Sequence, residues 1–182
     1  MGCEKLNSAR FSRGWRASFI FFNYGVKPDV MTVAKALGNG LPVGAFLACG
    51  KAASAMVPGD HGTTYGGNPL VTAGAKAVLD IFEERHIVDH VKEIGAYLSE
   101  KLDGIVEKYD VVKERRGMGL IQGLEFTGPV GPVVSNALLE QNLVLISAGA
   151  NIIRFVPPLV IGKADVDEMA GRLEAAIKAV CG

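Results

Sequence analysis

Three short stretches of the chain hold residue types that could do chemistry. Lys35 sits among Val33, Ala34, Ala36 and Leu37, ahead of the turn Gly38-Asn39-Gly40-Leu41-Pro42. An amine at the mouth of an apolar strand is hard to solvate. Desolvation disfavours its charged form and lowers its pKa, which favours an amine able to form a Schiff base. The same pattern fits a lysine whose stem lies on apolar surface while its head reaches water. The second stretch runs from His61 to Pro69. Thr63 and Thr64 offer hydroxyls, and Gly62, Gly66 and Gly67 leave backbone amides uncovered. Such a loop, set before a helix N-terminus, suits a phosphate; it also fits an ordinary turn and helix cap. The third is Arg154, the one charge in Ile152-Ile153-Arg154-Phe155-Val156. A guanidinium in such company needs a carboxylate or phosphate, and its fork matches a carboxylate in bidentate fashion. The partner could be a ligand, or a structural salt bridge to Glu125 or Asp165.

Other candidates carry less. His61, His86 and His90 are dispersed and poorly backed by acids, so no metal site is expected. Glu114, Arg115 and Arg116 read as a solvated charge run before Gly117. Nucleotide-binding, serine-hydrolase and zinc-protease motifs do not occur.

The elements that must position these residues follow from pattern. Val30 to Val33 and Val43 to Cys49 read as short buried strands on either side of Lys35 and its turn. Lys51 to Met56 could form a short helix. Asn68 is a good N-cap with Pro69 at the first helical position, so a helix starts there and runs to about Glu84. Its middle has almost no polar face, which predicts burial. Ile87, Val91, Ile94, Leu98, Leu102, Ile105 and Tyr109 recur at helical spacing and predict an amphipathic helix. Strands follow at Val111 to Val112, Gly119 to Phe126, Leu143 to Ser147 and Ile152 to Val156, with a helix at Val130 to Gln141. A final helix carries Val166, Met169, Leu173, Ile177 and Val180 on one face. Asp165 and Glu168 have capping-box spacing, with Asp165 in the capping position.

Composition bounds the rest. The 182 residues are 49% hydrophobic and 21% charged, and 19 Lys plus Arg balance 19 Asp plus Glu. A core of useful size can form, while nucleic-acid or anionic-lipid binding through bulk charge is not expected. No stretch nears the ~20 apolar residues that span a bilayer. Cys3, Cys49 and Cys181 are far apart and form no disulfide set, which favours a reducing compartment. Residues 1 to 23 stand apart. Lys5, Arg10, Arg13 and Arg16 lie beside Trp15, Phe19, Phe21 and Phe22, without periodicity. That arm fits an organelle transit segment, an RNA-contacting arm or an atypical terminus.

Taken in order, the three stretches resemble the class-III (subgroup II) pyridoxal-phosphate aminotransferases. The segment from Pro28 to Ala45, centred on Val33-Ala34-Lys35-Ala36-Leu37-Gly38-Asn39-Gly40-Leu41-Pro42, resembles the family's lysine segment. His61-Gly62-Thr63-Thr64-Tyr65-Gly66-Gly67-Asn68-Pro69 is similar to its phosphate loop, and Ile153-Arg154-Phe155-Val156-Pro157-Pro158 to its C-terminal arginine motif. The resemblance covers the chain from about Tyr24 onward.

The resemblance implies an α/β chain of fold-type I. Residues 24–68 would be the C-terminal part of a large domain with a mostly parallel sheet, 69–84 an interdomain helix, and 85–182 a small α+β domain. It implies a transaminase using pyridoxal 5'-phosphate, a cytoplasmic location, and a homodimer with the Thr63-Thr64 loop at its interface. Lys35 would bind the cofactor and move protons, Thr64 would hold the cofactor phosphate of the partner subunit, Thr63 would lie near substrate, and Arg154 would clamp the α-carboxylate. The small-molecule substrates would be an amino donor such as N2-acetylornithine, or a related ornithine-like amine, and 2-oxoglutarate, in arginine biosynthesis. Members of the family are roughly twice this length, so the resemblance also implies a missing N-terminal half with further cofactor contacts. Little activity is then expected of the chain alone, and a non-catalytic folding or interaction module is the alternative.

Overall fold

The computed structural model describes residues 23–182. The basic, aromatic arm lies outside the described residues, except for Asn23. The chain divides into two compact units, one ending at Val88 and one covering Asp89–Gly182.

In the first unit, strands β1 (Val30–Val33) and β2 (Ala45–Ala48) pair antiparallel, with Val30 opposite Ala48 and Val33 opposite Ala45. One turn of 3-10 helix, Lys35–Leu37, follows β1. Helix α1 spans Gly50–Ala55, and α2 spans Pro69–Glu84. The turn between the strands depends on Gly38. A Cβ there would lie 2.3 Å from the Leu41 carbonyl oxygen and 2.6 Å from a Val43 methyl.

Two expectations fail in this unit. Neither strand is buried; every residue of both is half-buried or exposed. A ladder two strands wide cannot cover an apolar run on both its faces. Helix α2 starts on Asn68 and Pro69 as predicted, yet Val71 is its one buried residue. Its apolar positions run round most of the circumference, while the element packed against it in this unit is the Lys35 turn. That contact is close: a Cβ on Gly74 would lie 2.2 Å from a Leu41 methyl.

The second unit has the better core. Helix α3 (Ile87–Lys108), nearly all of it in this unit, buries Ile94, Leu98, Leu102 and Ile105 at the predicted spacing. Helix α5 (Lys163–Cys181) buries Val166, Leu173, Ala176 and Ile177. Between them in sequence lie β3 (Val112–Met118), β4 (Ile121–Phe126), α4 (Gly131–Leu139), β5 (Ile146–Ser147) and β6 (Ile152–Phe155). The strands form an antiparallel sheet in the order β3-β4-β6-β5. Leu124 and Phe126 of β4, with Ile153 and Phe155 of β6, turn into the core with the helices. Each such fully buried large side chain contributes about 1.5–3 kcal/mol.

Here too the sequence expectation needs correction. Glu114, Arg115 and Arg116 are not a loose charge run but the middle of β3, an edge strand whose partner β4 supplies the pairing its own composition does not advertise. Asp165 does not cap α5. The helix starts after Gly162, whose backbone N–H donates to the Asp165 carboxylate at 2.7 Å. Asp165 thus sits at the third helical position, where a carboxylate reaches back to the cap.

Candidate active site

Lys35 sits directly after β1 and opens the 3-10 turn. Its φ is +54°, a left-handed conformation that a lysine adopts at a cost. Backbone bonds from Leu37 N–H to the Ala34 carbonyl at 3.2 Å and from Leu41 N–H to Gly38 at 3.1 Å hold it there. Its side chain is exposed, not desolvated as expected: the apolar neighbours in sequence do not fold over it. The amine has no hydrogen-bond or ion-pair partner among the described residues.

The loop from His61 to Asn68 is exposed apart from Asn68, which is half-buried. Thr63 Oγ1 accepts from the Gly66 N–H at 3.1 Å, and a Cβ on Gly66 would lie 2.3 Å from the Thr63 methyl. Asn68 Nδ2 donates to the Tyr65 carbonyl at 2.8 Å. The Thr64 hydroxyl has no partner among the described residues. The N-terminus of α2, which the phosphate reading of the sequence leaves open to an anion, is occupied by its own cap. Asn68 Oδ1 accepts from the N–H groups of Leu70 at 3.1 Å and Val71 at 3.3 Å. The first amides of α2 are therefore taken, and so is the Gly66 amide expected to be uncovered, which leaves the Thr64 hydroxyl and the other loop amides for an anion. Lys35 and this loop share the first unit, joined through α2 and the Leu41–Gly74 contact.

Arg154 belongs to the second unit, on β6 opposite Gly123 of β4 and Ile146 of β5. Its neighbours Ile153 and Phe155 are 0% and 5% exposed, while Arg154 itself is exposed, so the strand turns it away from the core. Neither proposed structural partner binds it. Glu125 is held by Lys113 at 3.0 Å and by Arg116, and Asp165 by the Gly162 amide. Lys113, first, and Arg116 hold the Glu125 carboxyl below the usual carboxylate range. Arg154 makes no ion pair among the described residues, and lines a cleft of about 360 Å³ together with Leu98, Ile146, Phe155, Pro157 and Met169. Arg154 and Asp165 are the charged residues on that lining.

Two features escaped the sequence. Gln122, 2% exposed, donates to the carbonyls of Gly95 at 3.0 Å and Gly119 at 2.7 Å and to Ser99 Oγ at 3.0 Å. Arg115, bound to Asp103 at 2.6 Å, reaches Gln122 Oε1 at 3.4 Å. The alternation Gln122, Leu124, Phe126 was the available signal for an inward Gln122. The Lys113–Glu125–Arg116 cluster was the other; of its members only Arg116 lay in what read as a solvated run.

The first unit thus presents an unpaired amine on a strained turn and a free hydroxyl on a Gly-rich loop, and the second unit presents an unpaired guanidinium on a strand. Residues 17–177 match the class-III aminotransferase family, and the chain belongs to that family. The family depends on pyridoxal 5'-phosphate, and its fold-type I architecture is the fold this chain shares in part. The chain is 46% identical over 157 residues to acetylornithine aminotransferase 1 of Bradyrhizobium diazoefficiens, covering 86% of this chain and 38% of the relative. It is 45% identical over 161 residues to acetylornithine aminotransferase of Clostridium acetobutylicum, covering 88% and 41%. Among solved structures, acetylornithine aminotransferase from Elizabethkingia anophelis superposes with a TM-score of 0.80 at 31% identity, over 88% of this chain and 41% of that one. Ornithine delta-aminotransferase of Plasmodium falciparum gives 0.80 at 32% identity, over 86% and 41%. The chain thus spans about two-fifths of the length of the curated relatives it matches.

Proposed function

We propose that this chain carries the lysine, threonine and arginine elements of a pyridoxal-phosphate-dependent transaminase acting on N2-acetylornithine or a related ornithine-like amine, with 2-oxoglutarate as amino acceptor. The unpaired, accessible amine of Lys35, held on a strained turn, carries this reading. The residues present fit the cofactor: the Lys35 amine would hold its aldehyde carbon, and the Thr64 hydroxyl, with the free amides of its loop, would hold the phosphate of the cofactor bound to the partner subunit. When bound, the cofactor would supply the electron sink that stabilises a carbanion at the carbon bearing the transferred amine, which in N2-acetylornithine is the δ-carbon because the α-nitrogen is acylated. Lys35 is the group that would hold it and would then carry the proton at Nζ to and from that carbon. Arg154 binds a substrate carboxylate through its fork and so orients the bond to be broken. Thr63, whose hydroxyl braces the loop through Gly66, lies beside Thr64 near the substrate.

Assembly as a homodimer with the Thr63-Thr64 loop at the interface, and a cytoplasmic location, belong to the same proposal. The names of the relatives at 46% and 45% identity support the amino donor. A second reading, a module that folds without catalysing, draws on the exposure of Lys35. One experiment separates the two. The purified chain is mixed with pyridoxal 5'-phosphate, reduced with borohydride, digested and mapped by mass spectrometry. A pyridoxyl group on Lys35 above the level on other lysines, lost when Thr64→Ala weakens the phosphate contact, supports the proposal. Uniform labelling of exposed lysines favours the module.

A further inference from the structure

Glu125 and Arg154 stand on one face of the sheet. Leu124 and Phe126 are 0% and 3% exposed, and Ile153 and Phe155 are 0% and 5%, so the alternate positions Glu125 and Arg154 turn outward together. The register pairs Gly123 with Arg154 and Glu125 with Ile152, which makes Glu125 the diagonal neighbour of Arg154. Diagonal neighbours lie about 7–8 Å apart, within reach of long side chains. Gly123, directly opposite Arg154, puts no side chain between them. A glutamate and an arginine so placed should pair, and Arg154 would then be closed to any other carboxylate. A tethered carboxylate competes at an effective concentration of about millimolar or more.

The structure shows the pair unmade, and shows why. The β3–β4 register slips between Val112 and Glu114, leaving Lys113 as the extra residue of a bulge. Bulges re-aim side chains, and here the Lys113 amine reaches Glu125 Oε1 at 3.0 Å. Arg116, in line with Gly123 and Arg154 across three strands, takes the other Glu125 oxygen and also Glu114. Glu114 faces Glu125 directly across the ladder. Without Arg116 that like-charge pair would push Glu125 away, and Arg154 is a free cation on its other side. We propose that Lys113 and Arg116 are positioning residues whose task is to keep Glu125 off Arg154, so that its guanidinium stays open to a ligand carboxylate. The proposal rests on the reading of Arg154 as a carboxylate clamp.

The test uses the full chain, with Lys113→Ala and Arg116→Ala combined. Both side chains are well exposed, 60% and 59%, so their removal spares the core. Two readouts are taken: the Arg154 Nε–Hε resonance by NMR, and the affinity for 2-oxoglutarate. In the double variant the Arg154 signal should shift and exchange more slowly with water, and 2-oxoglutarate should bind about fivefold more weakly. Adding Glu125→Gln should reverse both changes. Swapping the charges in kind, Lys113→Arg with Arg116→Lys, should leave both at the wild-type values. An Arg154 resonance unmoved by the double substitution overturns the proposal, whatever the ligand does. A resonance that moves as expected, with 2-oxoglutarate binding indifferent to Arg154→Ala, upholds the restraint on Glu125 and overturns the clamp reading alone.

Discussion

The same substitution at two glycines of helix α3 should change stability in opposite directions. Glycine in a helix interior costs about 1 kcal/mol relative to alanine, so Gly→Ala is favourable wherever a methyl group fits. Gly104 has nothing within 4 Å of where its Cβ would stand. At Gly95 the added carbon would lie 2.6 Å from Gly119 Cα, 2.7 Å from its carbonyl carbon and 2.8 Å from its oxygen. Those atoms are backbone, and they cannot rotate away. Gly119 itself sits at φ +59°, in the tight β3–β4 turn. Gln122 fastens the turn to the helix by donating to both glycine carbonyls, at 3.0 and 2.7 Å.

Relief at Gly95 therefore means moving the hairpin off the helix and stretching those buried bonds. Overpacking of this kind costs about 1–3 kcal/mol, and stretching a buried hydrogen bond adds to it. Set against the propensity gain of about 1 kcal/mol, Gly95→Ala should destabilise by about 1–2 kcal/mol. Gly104→Ala should stabilise by up to about 1 kcal/mol. For a chain of this size, 1 kcal/mol is about 2–4 °C in Tm. Urea unfolding followed by helical circular dichroism reads both changes. Shifts of the same sign, or a Gly95→Ala chain as stable as wild type, would refute the claim that backbone contact with Gly119 decides the outcome.

Other consequences follow from the caps and charges. Asn68→Ala removes the acceptor for two amides of α2; it should cost about 1 kcal/mol and speed hydrogen exchange at Leu70 and Val71, whereas Asn68→Asp should do neither. Glu93, Glu125 and Asp167 are held below the ordinary carboxylate range, chiefly by Lys163, Lys113 and Lys101 respectively. A carboxylate whose folded pKa is depressed contributes stability that is fully present above its unfolded value, about 4, and lost as pH falls through the folded one. Tm should thus be flat from about pH 7 to pH 5 and fall below about pH 4, less steeply in 1 M salt, because the Glu93 and Asp167 pairs are exposed, whereas the Glu125 side chain is 12% exposed and less screened. Thermal scans across that range check it, and a Tm that rises on acidification contradicts the assignment.

What the sequence made legible divides by the range of the physics involved. Helix α2 was readable at its start because Asn68 and Pro69 act on their immediate neighbours. Helix α3 was readable because its seam repeats every three to four residues. Strand β3 was not, since four charged residues in a row do not announce a strand; the ladder with β4 makes it one, and a bulge places Lys113. Exposure failed for the same reason. The apolar neighbours of Lys35 say nothing about what packs over it, and the hydrophobicity of α2 says nothing about what covers it. The three reactive residues were legible as types in order, but the state of Arg154 was not. Its freedom depends on where Glu125 and Asp165 place their charge: on Lys113 and Arg116 in one case, and on a backbone amide at the start of α5 in the other. A guanidinium on an apolar strand becomes available to a ligand only when each acid in reach has a stronger claim elsewhere. In this sheet those claims are made by residues 38 and 41 positions earlier in the chain.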